Sequence, residues 1–216
     1  MKLLSVNVGE ERVMQNAKKV GKTGIYKLPA SHPVAVTRYG LEGDAICDVE
    51  NHGGVDQAVY LYGAADYAWW AEALQKETSP GLFGENLTLS DMESAAYFVG
   101  DRFHIGGVIL EATSPRIPCI TLARRMEDNS IVKRFLEAER PGIYCRVIQE
   151  GSVQAGENVG YERYAGERIS LIEMMRDFQK PDMSEKALRR FLAAPIALRA
   201  WEHKEALLWE RHGKRA

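Results

Sequence analysis

Through residues 1–165 the chain breaks into short apolar segments separated by glycine and polar turns, and that spacing constrains the fold more than any other feature. Pro33-Val34-Ala35-Val36-Thr37, Ala58-Val59-Tyr60-Leu61-Tyr62 and Asn86-Leu87-Thr88-Leu89 are rich in β-branched and aromatic residues and too short for stable helices. Met1-Lys2-Leu3-Leu4-Ser5-Val6-Asn7-Val8 reads as a first strand rather than an export signal. Arg102-Phe103-His104-Ile105 and Val108-Ile109-Leu110-Glu111 flank Gly106-Gly107, a two-residue hairpin signal. Ile143 to Ile148 forms a later strand, with Val153 and Val159 in short segments beyond it. So many short strands predict a mainly β fold built as a closed or nearly closed β-barrel, because closure removes exposed strand edges.

Helices interrupt this pattern only briefly. Tyr67, Trp70, Ala71 and Leu74 recur at helical spacing, so residues 64–76 are expected to form an amphipathic helix over the barrel, its aromatic stripe inward. Ser130 is placed to cap a second helix carrying Val132, Phe135 and Leu136, which Pro141-Gly142 ends. Residues 166–216 lack strand signals and predict a small C-terminal domain of three helices, separated near Pro181 and Pro195, with Ser184 capping the second. Its 11 basic and 8 acidic residues leave a small positive surplus, read as a solvated face. A segment of this size makes a marginal core alone, so the tail is expected to pack on the barrel or on another subunit.

The chain's net charge of −2 gives no basic field for nucleic acid, and no apolar run reaches membrane-spanning length. Three cysteines, Cys47, Cys119 and Cys145, at unrelated spacings fit a reducing cytoplasm and fall short of a four-thiolate cluster. Cytoplasmic localisation, no membrane partner and no nucleic-acid partner are therefore expected.

The candidate chemistry centres on Ser114-Pro115-Arg116-Ile117-Pro118-Cys119. Its two prolines stop both helix and ladder, leaving a stiff loop with a thiol at its end and an arginine beside it. Such a thiolate suits a soft metal or a nucleophile, although an isolated cysteine more often simply packs. Gly21-Lys22-Thr23-Gly24 lacks the upstream glycine of a P-loop, since position 16 is Asn16, yet Lys22 and Thr23 suit a weaker phosphate contact. Leu41-Glu42-Gly43-Asp44 is a second turn motif. In His52-Gly53-Gly54-Val55-Asp56, the glycines Gly53 and Gly54 let backbone approach a ligand, and His52 and Asp56 could hold protons or merely close a tight turn. Asn86, after Glu85, can donate and accept toward a heterocycle. Arg116 and Arg146 are the candidates to grip an anion in a bidentate fork.

Taken together, LEGD at 41–44, HGGVDQAV at 52–59, FGENL at 83–87, VGDRF at 99–103, SPRIPC at 114–119 and GIYCRVIQEG at 142–151 resemble a MOSC domain, named for the C-terminal domain of molybdenum cofactor sulfurases. The tail is similar to the extension of the stand-alone YiiM-like subgroup. The resemblance implies a barrel that binds the molybdenum cofactor (Mo-molybdopterin), with Cys119 as metal ligand. Joined to the residue reading above, it gives Cys119, His52 and Asp56 as the expected catalytic residues, and Lys22, Thr23, Gly53, Gly54, Asn86, Ser114, Arg116 and Arg146 as the expected cofactor contacts. At the level of the family alone it also carries an association with pyridoxal phosphate, to which no residue is assigned. The activity implied is an oxidoreductase that reduces N-hydroxylated compounds such as hydroxylaminopurine, a detoxification. Its partners would be the small-molecule substrate and a separate electron-donor redox protein, with a homodimer left open. Two alternatives stand beside it: a carrier of the cofactor or of sulfur without turnover, and a cysteine hydrolase using Cys119 and His52.

Overall fold

The computed structural model of the protein describes residues 1–14, 21–49 and 52–213, so Asn16 lies outside the described residues. The first part of the chain gives β1 (Leu3–Gly9), the short pair β2 (Arg12–Val13) and β3 (Lys22–Thr23), β4 (Lys27–Pro29), β5 (Val34–Thr37) and β6 (Gly40–Leu41). A 3-10 turn at Val55–Gln57 then leads into β7 (Val59–Gly63), α1 (Ala64–Leu74) and β8 (Leu87–Leu89). The hairpin β9 (Arg102–Ile105) and β10 (Val108–Ser114) follows, then α2 (Ile120–Met126) and α3 (Ile131–Ala138). The strands end with β11 (Ile143–Gln149), β12 (Gly151–Val153) and β13 (Val159–Glu162). The tail is α4 (Leu171–Gln179), α5 (Glu185–Leu192) and α6 (Leu198–Gly213). Among the described residues no helix is long and apolar enough to cross a membrane.

The strands form an eight-stranded sheet ordered β13-β9-β10-β11-β7-β8-β1-β4, with β12-β5-β6 as a smaller sheet. This corrects the expectation of a closed barrel. The long ladder is open, with β13 and β4 at its edges, and the N-terminal end of β1 meets the other edge through one bridge, Lys2 to Asn158. Six helices among the described residues likewise make the fold mixed rather than mainly β. All pairings in the long sheet are antiparallel except β7 with β8, where Leu61 sits opposite Leu87. A parallel pair needs a crossover, and α1 supplies it.

Two apolar layers hold the sheet. Leu3, Leu61, Leu87, Phe103 and Leu110 are fully buried on one face, while α1, α2 and α3 cover the other with Trp70, Leu122 and Phe135, joined by Phe83 from the turn before β8. Trp70 donates from Nε1 to the Tyr62 hydroxyl at 2.8 Å, which satisfies the indole N–H in an otherwise apolar layer. The aromatic stripe of α1 is thus core. A third cluster, with Val99, Ile169, Phe191 and Ile196 buried, seats the tail against the sheet domain.

Candidate functional site

Cys119 ends the double-proline loop and immediately precedes α2, with extended backbone at φ −136°. Its carbonyl accepts from the N–H groups of Leu122 and Ala123 at 3.0 and 3.3 Å, so the start of the helix fixes the cysteine backbone. The thiol is only partly buried and opens into a cleft. On the opposite wall, the His52 turn uses positive φ at Gly53 (121°) and Gly54 (82°), a conformation open to glycine at little cost. A Cβ at Gly53 would stand 2.7 Å from an Ile46 methyl carbon, so the turn also needs the missing side chain. The Gly53 N–H donates to Gln57 Oε1 at 3.3 Å, tying the turn to the 3-10 segment behind it. The result is a Cys119 Sγ to His52 Nε2 contact of 3.5 Å between residues 67 positions apart.

Burial pushes the Cys119 thiol up, but the His52 hydrogen bond and the nearby Arg116 guanidinium outweigh it and bring the thiol down to about 6. The cysteine is therefore held as thiolate near neutral pH. We predict that alkylation of Cys119 in the metal-free protein is half-maximal near this value. In His52→Ala the profile should move upward, toward the ordinary cysteine value of about 8.5. Residue-resolved labelling rates across pH check this; an unmoved profile would remove His52 from the account of the thiolate.

Arg116 is 5% exposed and lines the cleft. One Nη donates to the Phe83 carbonyl, the guanidinium lies 5.3 Å over the Tyr60 ring, and Nε is buried without a protein partner. Lys27, Asp44 and Asn86 form a polar floor. Lys27 is ion-paired with Asp44, and Asp44 also accepts from Asn86 Nδ2 at 2.9 Å and from the Gly9 N–H at 2.8 Å. Burial pulls the Lys27 ammonium down, and Asp44 opposes that pull. Beneath the floor Glu85 is fully buried. Its Oε1 accepts from the Tyr67 hydroxyl, the Gly81 N–H and the Thr88 hydroxyl at 2.6, 2.6 and 2.8 Å, and burial raises its pKa.

The structure brings together Cys119, His52, Gly53, Arg116, Asn86, Lys22 and Thr23 around this open cleft. It spends some of them differently from the sequence expectation. The Asn86 amide is committed to protein, donating to Asp44 and accepting from the Tyr60 N–H at 3.1 Å, so it builds the wall rather than reading a heterocycle. Lys22 pairs with Glu11 at 2.7 Å. Gly54, Asp56, Ser114 and Arg146 do not line the cleft. Asp56 and Arg146 form an ion pair at 2.9 Å that is bonded to the tail and also meets Glu111 and Thr113 of β10, and the Ser114 hydroxyl is buried with no protein partner. Sequence reasoning missed Lys27, which sits on a strand where a lysine ordinarily faces water. The signal was indirect: Cβ atoms at Gly9 and Gly81 would lie 3.1 Å from Lys27 Cγ and 2.4 Å from its carbonyl, so distant glycines make its room.

A family model of the MOSC domain matches residues 48–160, a span that holds His52, Arg116 and Cys119. The chain belongs to the MOSC domain family. Among its MOSC relatives, the uncharacterized protein YflK of Bacillus subtilis is 36% identical over 157 residues, covering 73% of this chain and 71% of YflK. A Gibberella moniliformis protein described as a reductase is 27% identical over 178 residues, covering 81% of this chain but 32% of the fungal protein. The crystal structure of YiiM from Geobacillus stearothermophilus superimposes with a TM-score of 0.78 at 24% identity, over 96% of this MOSC chain and 98% of that one. That likeness extends through the helical tail and establishes a shared fold.

Proposed function

We propose that this MOSC protein is a molybdenum cofactor-dependent reductase of N-hydroxylated compounds. The observation that carries the reading is the Cys119 thiolate, opening into a cleft between His52 and a buried, incompletely partnered Arg116. Among the described residues no three His, Cys, Asp or Glu side chains converge as a metal cage. A metal at Cys119 would have to bring most of its donors with it. A soft ion already chelated by the sulfurs of a pterin dithiolene meets that requirement, and one protein thiolate completes its donor set. The buried Arg116 guanidinium, its Nε unsatisfied by protein, brings positive charge to the cleft lining for an anionic group, with Lys22 and Thr23 also in that lining. The residues present therefore fit the group.

When bound, the cofactor supplies the two-electron chemistry. The chain's own residues bind, orient and manage protons. The net change, R–NHOH plus two electrons and two protons to R–NH2 and water, requires a proton at the departing oxygen. His52 Nε2, beside Cys119 Sγ, is the group positioned to hold one. Tyr144, half-buried in the cleft lining, offers an aromatic face to a flat base.

The electrons come from elsewhere in this reading. Three cysteines cannot hold a four-thiolate cluster, and no GxGxxG opens a helix after a strand. The cofactor-loaded protein is therefore expected to reduce hydroxylaminopurine with an artificial low-potential reductant and not with a nicotinamide cofactor alone. Robust turnover with the nicotinamide and no second protein would overturn the requirement for a separate donor.

A further inference from the structure

Asp56 was expected to act at the site, yet it lies behind it, where three distant segments meet. Its carboxylate accepts from the Leu198 N–H at 2.6 Å, across 142 positions of chain, and pairs with Arg146 Nε at 2.9 Å. Its backbone carbonyl accepts from the Thr113 hydroxyl at 2.5 Å. Arg146 donates onward to the Pro195 and Ile196 carbonyls at 3.2 and 3.0 Å, and the Ala197 N–H donates to the Thr113 carbonyl at 3.1 Å. The segment joining α5 to α6 is thus bonded simultaneously to the strand end that runs into the Cys119 loop and to the 3-10 turn that follows His52.

We propose that the Pro195–Leu198 segment is a clamp through which the helical tail sets the contact between His52 and Cys119, with Asp56 as its positioning residue. The two walls of the cleft belong to segments far apart in sequence, so only tertiary bonds can fix their separation. The Asp56 carboxylate and carbonyl tie the back of the His52 turn to the tail and to Thr113 respectively, and the Gly53–Gln57 bond makes that turn rigid enough to transmit the position. Asp56 touches neither cleft wall group itself. Its influence passes through the turn, and it holds whatever ligand Cys119 takes.

The test uses the full-length, metal-free protein, so it is independent of the proposed reductase activity. Leu198 is the first residue of α6, where proline is well tolerated because that N–H has no helical acceptor. Leu198→Pro therefore removes the tail's backbone donor to Asp56 while leaving the Arg146 pair in place, and the leucine side chain is exposed. Asp56→Asn weakens the Arg146 pair from the other side. Iodoacetamide labelling of Cys119, read by mass spectrometry at pH 6.5, should slow by at least about threefold in both variants as the thiolate loses its partner. In a His52→Ala background the same two changes should have no further effect, since coupled groups are non-additive. Wild-type labelling rates in a normally melting Leu198→Pro protein would overturn the clamp. Equal slowing with and without His52 would overturn it too, because the tail would then act on Cys119 by another route.

Discussion

Cys119→Ser, purified from a host that makes the molybdenum cofactor, is expected to retain less than a tenth of the wild-type molybdenum while melting normally. The thiol is the only sulfur at the end of the rigid 114–119 loop, and serine, a hard oxygen donor with a far higher pKa, cannot replace a thiolate toward a soft metal. Cys119 is only partly buried, so the exchange should cost no more than about 1 kcal/mol of stability. Metal analysis beside a thermal melt checks both halves. Full molybdenum in the variant would remove Cys119 as ligand, and a collapsed melt would return it to the role of packing residue.

The second large effect concerns Arg116→Lys. The guanidinium bonds to the Phe83 carbonyl, lies over the face of Tyr60, and keeps a buried Nε that no protein group satisfies. A lysine keeps the charge but has neither the fork nor the planar face. Losing one charge-assisted bond to an anionic group should weaken pterin binding by about 2 kcal/mol, roughly thirtyfold in affinity. Titration of the metal-free protein with isolated cofactor checks this, and unchanged affinity would assign the anion to Lys22 and Thr23. Arg146 carries no such expectation, because it lies outside the cleft lining, ion-paired with Asp56 and donating from one Nη to the Pro195 and Ile196 carbonyls.

Much of the fold was legible where local chemistry decides it. Gly106-Gly107 joins β9 to β10 with Val108 opposite Ile105, as the dipeptide required. Ser184 caps α5 by accepting from the Ala187 N–H at 3.2 Å, and the three tail helices lie where the prolines divide them. Ser130 shows the limit of such rules. Its hydroxyl donates to Asp128 at 2.6 Å instead of capping α3, because Asp128 offers a nearer and charged acceptor. The open sheet was not legible, since closure depends on which edges meet and no local pattern encodes that. A short α2 after a double-proline loop was equally hidden, although it anchors the backbone of the cysteine.

The candidate site divides the same way. Cys119, His52, Arg116 and the paired glycines announce themselves by residue type and spacing, and the fold brings them to one cleft. Lys27 and Asp56 do not. One is buried by glycines far away in the chain, and the other is drawn behind the site by a helix that begins 142 residues later. Their roles follow from long-range packing, which a single sequence leaves unspecified.

The central claim is molybdenum-dependent reduction, and one measurement tests it most directly. The protein is purified from two hosts, one able and one unable to synthesise the cofactor, and assayed for hydroxylaminopurine reduction with the same artificial reductant. The account predicts turnover from the first preparation alone, in proportion to its molybdenum and pterin content. Equal turnover from both preparations, or none from a preparation carrying stoichiometric molybdenum, would contradict it.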